Sequence, residues 1–153
     1  MRIAPDGPLQ YGKAGSWEGY CSASGMVQLA QRRRPDRWSA ETPARALITA
    51  ALEGDPDAEA VVAEMGEWLG KGLAVLIDVL NPEVIVLGTL GMTLGERLTG
   101  PARAVIAREA LAAPAAACRV VPAALGLRLG DVAALMAVIT ASNGSIPRLS
   151  EGA

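Results

Sequence analysis

Histidine is missing from all 153 residues, and so is phenylalanine. Without histidine the chain lacks the commonest zinc ligand and the commonest general base, which excludes every Ser-His-Asp or Cys-His catalytic arrangement. Cysteine is nearly as scarce. Cys21 and Cys118 lie far apart in different apolar contexts, with no Cys-x-x-Cys pair. Both are expected to be free buried thiols, which points to a cytoplasmic location. Aromatic residues amount to 3%, so the core must be built from small aliphatic side chains that let helices approach closely. Net charge is only −2. That balance offers no electrostatic basis for nucleic-acid binding, which needs clustered cations to neutralise phosphates. The one basic cluster, Arg32, Arg33, Arg34 and Arg37, reads as a solvated helix end where cations complement the dipole. No apolar run reaches the length of a membrane span, because Glu64, Glu67, Lys71 and Asp78 interrupt the most apolar helical stretch. Residues Met1 to Asp6 carry no apolar segment of the secretory type, so no signal peptide is expected.

What is present is apolar. Hydrophobic residues make up 51% and the mean hydropathy is +0.29, as expected of one folded domain with a real core. The most informative stretch is Asn81-Pro82-Glu83-Val84-Ile85-Val86-Leu87-Gly88. Asn-Pro stops a helix, since proline lacks an N–H and disfavours α geometry in the residue before it. Val84 to Leu87 is an unbroken apolar run, β-branched at three of four positions, and predicts a parallel-sheet strand buried on both faces. Gly88 ends that strand at the carboxyl edge, where open α/β folds bind ligands.

Residues 4–16 read as an extended loop and Trp17 to Gln31 as a helix with an uncertain start. Ser39 marks the start of a helix running to about Glu53 and stopping at Gly54. Asp55 and Pro56 supply the N-cap and first residue of the next helix. Its apolar stripe runs Val61, Met65, Trp68, Leu69, Leu73, Leu76, Ile77 and Leu80. Gly66, Gly70 and Gly72 within it each cost roughly 1 kcal/mol of helix propensity, so another backbone is expected to approach closely. After the strand, Gly88 to Gly95 reads as a Gly-rich turn and Glu96 to Leu111 as a helix with Pro101 near its first turn. Arg119 to Pro122 is a second strand, parallel to the first through a right-handed crossover. A last helix begins at Gly130-Asp131 and ends at Asn143-Gly144.

Three of these segments, in order, resemble the carboxyl-terminal half of the ROK family (repressors, open reading frames and sugar kinases). Gly12-Lys13-Ala14-Gly15-Ser16-Trp17-Glu18-Gly19-Tyr20 is similar to the family's stretch Cys-x-Cys-Gly-x-x-Gly-Cys-x-Glu. The helix through Leu69-Gly70, followed by Asn81 to Gly88, resembles its long helix and Asn-Pro-x-x-Ile-Val-x-Gly-Gly. Ala124-Leu125-Gly126 with Gly130 to Ala134 resembles its closing helix. The likeness covers roughly residues 7 to 141. It implies an α/β fold, the helix-rich carboxyl-terminal part of an actin-like, ribonuclease-H-like ATPase domain. Residues 1–16 would be a loop or remnant of a zinc-binding segment, 17–142 the α/β domain and 143–153 a flexible tail.

By the same resemblance the activity would be ATP-dependent phosphorylation of a hexose or amino-hexose such as glucose or N-acetylglucosamine. Glu18 would bind the sugar hydroxyls, or else be a first-turn glutamate favoured by the helix dipole. Gly88, Thr89 and Gly91 would rim a nucleotide pocket, or else form a turn that needs glycine for its backbone angles. Asp78 and Asp131 read as structural last- and first-turn residues respectively, and Trp68 as core. No catalytic residue is assigned. The family's phosphate loop, its base toward the sugar and its Glu-x-Gly-His segment have no counterpart here, so ATP with magnesium is expected only in a complete kinase. Leu9, Tyr11 and Ser16 stand at the family's zinc-binding cysteines, so no zinc is expected. Thr89 replaces a glycine that lets backbone approach nucleotide. The chain alone is expected to be inactive and to need a separate amino-terminal half or to form a homo-oligomer. Two other readings stand beside the kinase: a sugar-sensing module of the repressor type, and a non-catalytic dimerisation module.

Overall fold

The 25-residue helix α4 (Pro56–Leu80) is the axis on which the other elements pack. The computed structural model describes residues 1–141. As expected, the Asp55 carboxylate caps α4 by accepting the Ala58 N–H at 3.0 Å, and Pro56 occupies its first turn. The helix stops at Asn81, which takes the left-handed conformation at φ 45° before Pro82. Along its length Val61, Met65, Leu73 and Ile77 are buried, Trp68 and Leu69 are half-buried, and Leu80 is exposed.

The α4 glycines have the close neighbours their propensity cost demands. A Cβ on Gly66 would lie 2.5 Å from the Leu98 carbonyl oxygen, and one on Gly70 would lie 2.5 Å from that of Ala102. Both carbonyls belong to α6 (Glu96–Glu109), which makes the most extensive contact of any pair of elements. Pro101 sits inside α6, beyond the first turn where the sequence reading put it, and its ring lies opposite Gly66. Gly72 instead faces the Trp17 indole, whose Nε1 donates to the Trp68 carbonyl at 3.1 Å.

Strand β3 (Val84–Leu87) pairs in parallel with β4 (Arg119–Pro122), Val84 opposite Arg119 and Leu87 opposite Pro122. The strand forms where expected, but it is not buried on both faces. Leu87 and Ile85 turn toward Leu73, Ile77 and Ile106, whereas Val86 is 61% exposed. The packed face of this two-stranded sheet, Ile85, Leu87 and Val120, lies against α4, α6 and Ala115. Between the strands, Gly88 to Gly95 is not a turn: Thr89–Leu94 is helix α5, followed by α6 and the short α7 (Ala112–Ala117). Asp78 accepts the Leu111 N–H at 2.9 Å, tying the end of α4 to the entry of α7.

The amino-terminal region departs most from expectation. Residues 4–16 hold a hairpin, β1 (Leu9–Gln10) against β2 (Lys13–Ala14). The expected helix from Trp17 is two helices, α1 (Trp17–Cys21) and α2 (Ala23–Arg33), broken at Ser22. Ser16 and Ser22 cap them, accepting from Gly19 and Gly25 N–H at 3.0 and 3.1 Å. Ser39 does not start a helix; its N–H donates to the Thr42 hydroxyl, and α3 (Ala44–Leu52) begins after Pro43. Three arginines of the basic cluster are paired: Arg33 meets Glu64 at 2.9 Å, Arg34 meets Asp57 at 2.6 Å and Arg37 meets Asp55. These half-exposed pairs add little stability individually but register α2 against the start of α4.

A 3-10 turn (Gly126–Arg128) leads into α8 (Leu129–Ala141), with Asp131 in its first turn. Leu135, Met136 and Val138 of α8 are all exposed. The expected helix stop at Asn143-Gly144 and the tail lie outside the described residues.

Candidate functional site

A cleft of about 410 Å³ opens where β3 ends. Its first wall is Leu87, Gly88, Thr89, Leu90 and Gly91, the strand end and the first turn of α5. Its second wall is Cys21 and Ala23, on either side of the α1–α2 break, and its floor is Met65 and Leu69 of α4 with Leu98 of α6. The lining is mostly apolar, with backbone amides and the Thr89 hydroxyl supplying polarity at one rim. A flat, largely apolar group with a few polar edges suits such a site.

All three predicted rim residues therefore line one cavity, but the two glycines differ in what holds them. A Cβ on Gly91 would lie 2.5 Å from the Leu87 Cβ, so packing alone excludes a side chain there. Gly88 has φ −77° and nothing within 4 Å of a built Cβ. Neither backbone angle nor crowding requires glycine at position 88, contrary to the expectation that the turn needs it.

Glu18 is exposed on α1 and does not line the cleft. It lies three residues before Cys21 on the same short helix, a spacing that puts both on one side of it. Sequence reasoning missed Cys21, Ala23, Met65, Leu69 and Leu98 as lining. Met65 and Leu69 were legible only as a helical stripe, and nothing in the sequence marks Ala23.

Burial pushes the Cys21 thiol up to about 12, so it stays protonated at neutral pH and is not a nucleophile. The folded protein is expected to leave Cys21 unmodified by iodoacetamide at pH 8 and to expose it on denaturation; peptide mass spectrometry reads the difference. Linkage gives a second readout. Above pH 9 the unfolded thiol loses its proton while the folded one holds it to about 12. Stability therefore falls with rising pH across that window, and Cys21→Ala removes this part of the slope.

A sequence model of the ROK family matches residues 2–140. The chain belongs to the ROK family. It is 31% identical over 102 residues to a glucokinase of Streptomyces coelicolor, covering 58% of this chain and 32% of that protein. It is 35% identical over 65 residues to a xylose repressor of Caldicellulosiruptor bescii, covering 42% and 16%. Among solved structures, a ROK family glucokinase from Streptomyces griseus in complex with glucose and AMPPNP superposes with a TM-score of 0.69 at 28% identity. That match covers 85% of this chain and 46% of the glucokinase. The chain spans less than half the length of these relatives. The fold is that of the actin-like ATPases to which the ROK sugar kinases belong, and the family's kinases and repressors are both represented among its relatives. Among the described residues, no helix is long and apolar enough to cross a membrane.

Proposed function

We propose that this chain is the carboxyl-terminal part of a ROK-type sugar kinase, a cytoplasmic transferase of carbohydrate metabolism that phosphorylates a hexose or amino-hexose with ATP. In this reading the 410 Å³ cleft takes the nucleotide base side against Gly88, Thr89 and Gly91, and Glu18 accepts hydrogen bonds from sugar hydroxyls. The observation that carries it is the unforced glycine: at Gly88 the fold leaves room for a side chain that is not there, on the wall of a cavity. The likeness to a glucokinase whose structure holds glucose and AMPPNP supports it. ATP, with magnesium, supplies the phosphoryl group when bound; this chain's own residues contribute cavity walls and orientation. No residue here matches the family's base toward the sugar, so the 153 residues alone are expected to be inactive. Catalysis would need the rest of a ROK-type fold, in the same or a second polypeptide.

The likeness to a xylose repressor favours one alternative, a sugar-sensing regulatory module. Ligand-dependent melting separates the readings. AMPPNP is expected to raise the melting temperature, by about 2.7 kcal/mol of stabilisation at a hundredfold excess over Kd. Gly88→Leu, at a position where a built Cβ meets nothing within 4 Å, is expected to remove that rise. A response to sugar alone favours the sensor, and no response to either ligand removes the binding reading. ATP-dependent phosphorylation of glucose or N-acetylglucosamine, abolished by Glu18→Ala, would overturn the expected inactivity.

A further inference from the structure

The ROK resemblance implies zinc at the segment preceding Glu18, and the residues present do not fit it. Leu9 and Tyr11 are exposed, offer no thiolate, and Tyr11 sits at the hairpin tip at φ 48°. The Ser16 hydroxyl is already used, accepting the Gly19 N–H at 3.0 Å. Among the described residues, no group of three or more His, Cys, Asp or Glu side chains is placed to hold a metal.

The segment is nonetheless tied down: Ile3 and Ala4 N–H donate to the Gly15 carbonyl, the Tyr20 hydroxyl of α1 donates to the Asp6 carbonyl, and two side chains of α2 hold β1. The Gln28 side chain meets the backbone of Leu9 twice: Oε1 accepts the Leu9 N–H at 2.7 Å, and Nε2 donates to the Leu9 carbonyl at 3.1 Å. One primary amide thereby pairs with both polar groups of a strand residue, as a neighbouring strand would. The Ser24 hydroxyl, one helical turn earlier, donates to the Gln10 side chain at 3.0 Å. On the far side of the hairpin, the Gly15 N–H donates to the Pro8 carbonyl at 3.2 Å, and Ser16 caps α1.

We propose that Gln28 holds this segment in the metal's place: its amide clamps β1 to α2 and so positions the hairpin and, through Gly15 and Ser16, the helix bearing Glu18. Gln28 is a positioning residue. The part concerning Glu18 rests on the function proposed above, while the clamp itself does not. Physically the substitution is coherent. A metal orders a loop by binding side chains from several places; a helix-borne amide orders one by satisfying strand groups that would otherwise bond water. Such a clamp is indifferent to chelators and to thiol oxidation.

Residue-resolved amide exchange on the full chain tests it. In the wild-type protein with EDTA present, the Leu9 amide and a Gln28 Nε2 proton are expected to exchange slowly. Gln28→Leu is expected to speed Leu9 exchange about tenfold or more, the loss of a net hydrogen bond, with α4 and α6 amides unchanged. Gln28→Glu keeps an acceptor for the Leu9 N–H but loses the donor, so it is expected to retain Leu9 protection, a rescue that general loosening would not give. Equal Leu9 exchange in wild type and Gln28→Leu overturns the proposal, as does EDTA-induced exchange in the wild type. Because none of these readouts involves sugar or nucleotide, their failure is distinct from failure of the kinase reading.

Discussion

Gly70→Ala is expected to destabilise the protein by about 3 kcal/mol, at the upper end of the usual range for overpacking. Alanine gains roughly 1 kcal/mol of helix propensity over glycine, so the steric loss must exceed that to show at all. It does, because the added Cβ would lie 2.5 Å from the Ala102 carbonyl oxygen and 2.7 Å from the Val105 Cβ. The first is backbone and cannot rotate away; α4 and α6 would have to separate along their whole contact. Gly100 is the control. It also lies inside a helix, yet the nearest atom to a built Cβ is the flexible Glu96 carboxylate at 4.0 Å. Gly100→Ala is therefore expected to stabilise by roughly 0.5–1 kcal/mol. Urea unfolding of the two variants should move the midpoint in opposite directions. Equal behaviour would show that the α4–α6 backbone contact is not as close as described.

The second large effect concerns the uncovered side of the sheet. Parallel strands are ordinarily covered on both faces, but Val84 and Val86 are exposed opposite the side packed on α4. Exposed apolar surface of this kind marks association, and two strands leave backbone edges able to pair with another chain. The 153-residue polypeptide is expected to self-associate, and a Val84→Lys, Val86→Lys double variant to be monomeric by light scattering. Folding stability should change little, within about 0.5 kcal/mol per site, because neither side chain is part of the core. A clean wild-type monomer at high concentration would defeat the association claim.

What was legible in the sequence follows how local each signal is. The start and stop of α4 rest on Asp55-Pro56 and Asn81-Pro82, which act within one turn, and both formed as read. The β3–β4 pair was legible from apolar runs. Misreadings arose where a local signal had a second local use. Ser39 and Thr42 bond to each other, so the cap pattern was spent in a turn. The Gly88 to Gly95 stretch looked like a turn because glycine usually breaks helices, yet Gly91 serves packing against Leu87. The break at Ser22 accompanies the contact of Gly25 with the Gly19 carbonyl, where a built Cβ would come within 1.6 Å. That contact joins two consecutive helices and leaves no periodic trace. One wall of the candidate cleft was thus visible in the sequence and the opposite wall was not. Exposure of β3 was illegible for another reason: an apolar run states what a strand requires, not whether the chain provides it.

The glycine-lined contact of α4 with α6 also bears on the order of folding. Its partners are separated by only the β3 strand and α5 in the chain, so closing it costs little more loop entropy than docking the amino-terminal hairpin on α2. At Gly66 and Gly70 this interface sets the carbonyl oxygens of Leu98 and Ala102 against bare α-carbons, positions where no side chain has to find a rotamer. During synthesis both helices emerge before β4, and β3 must wait for a neighbour while already seated on them. Substitutions at Gly66 or Gly70 are expected to slow folding, and changes at Gln28 to speed local opening instead, a difference that chevron kinetics and amide exchange would read.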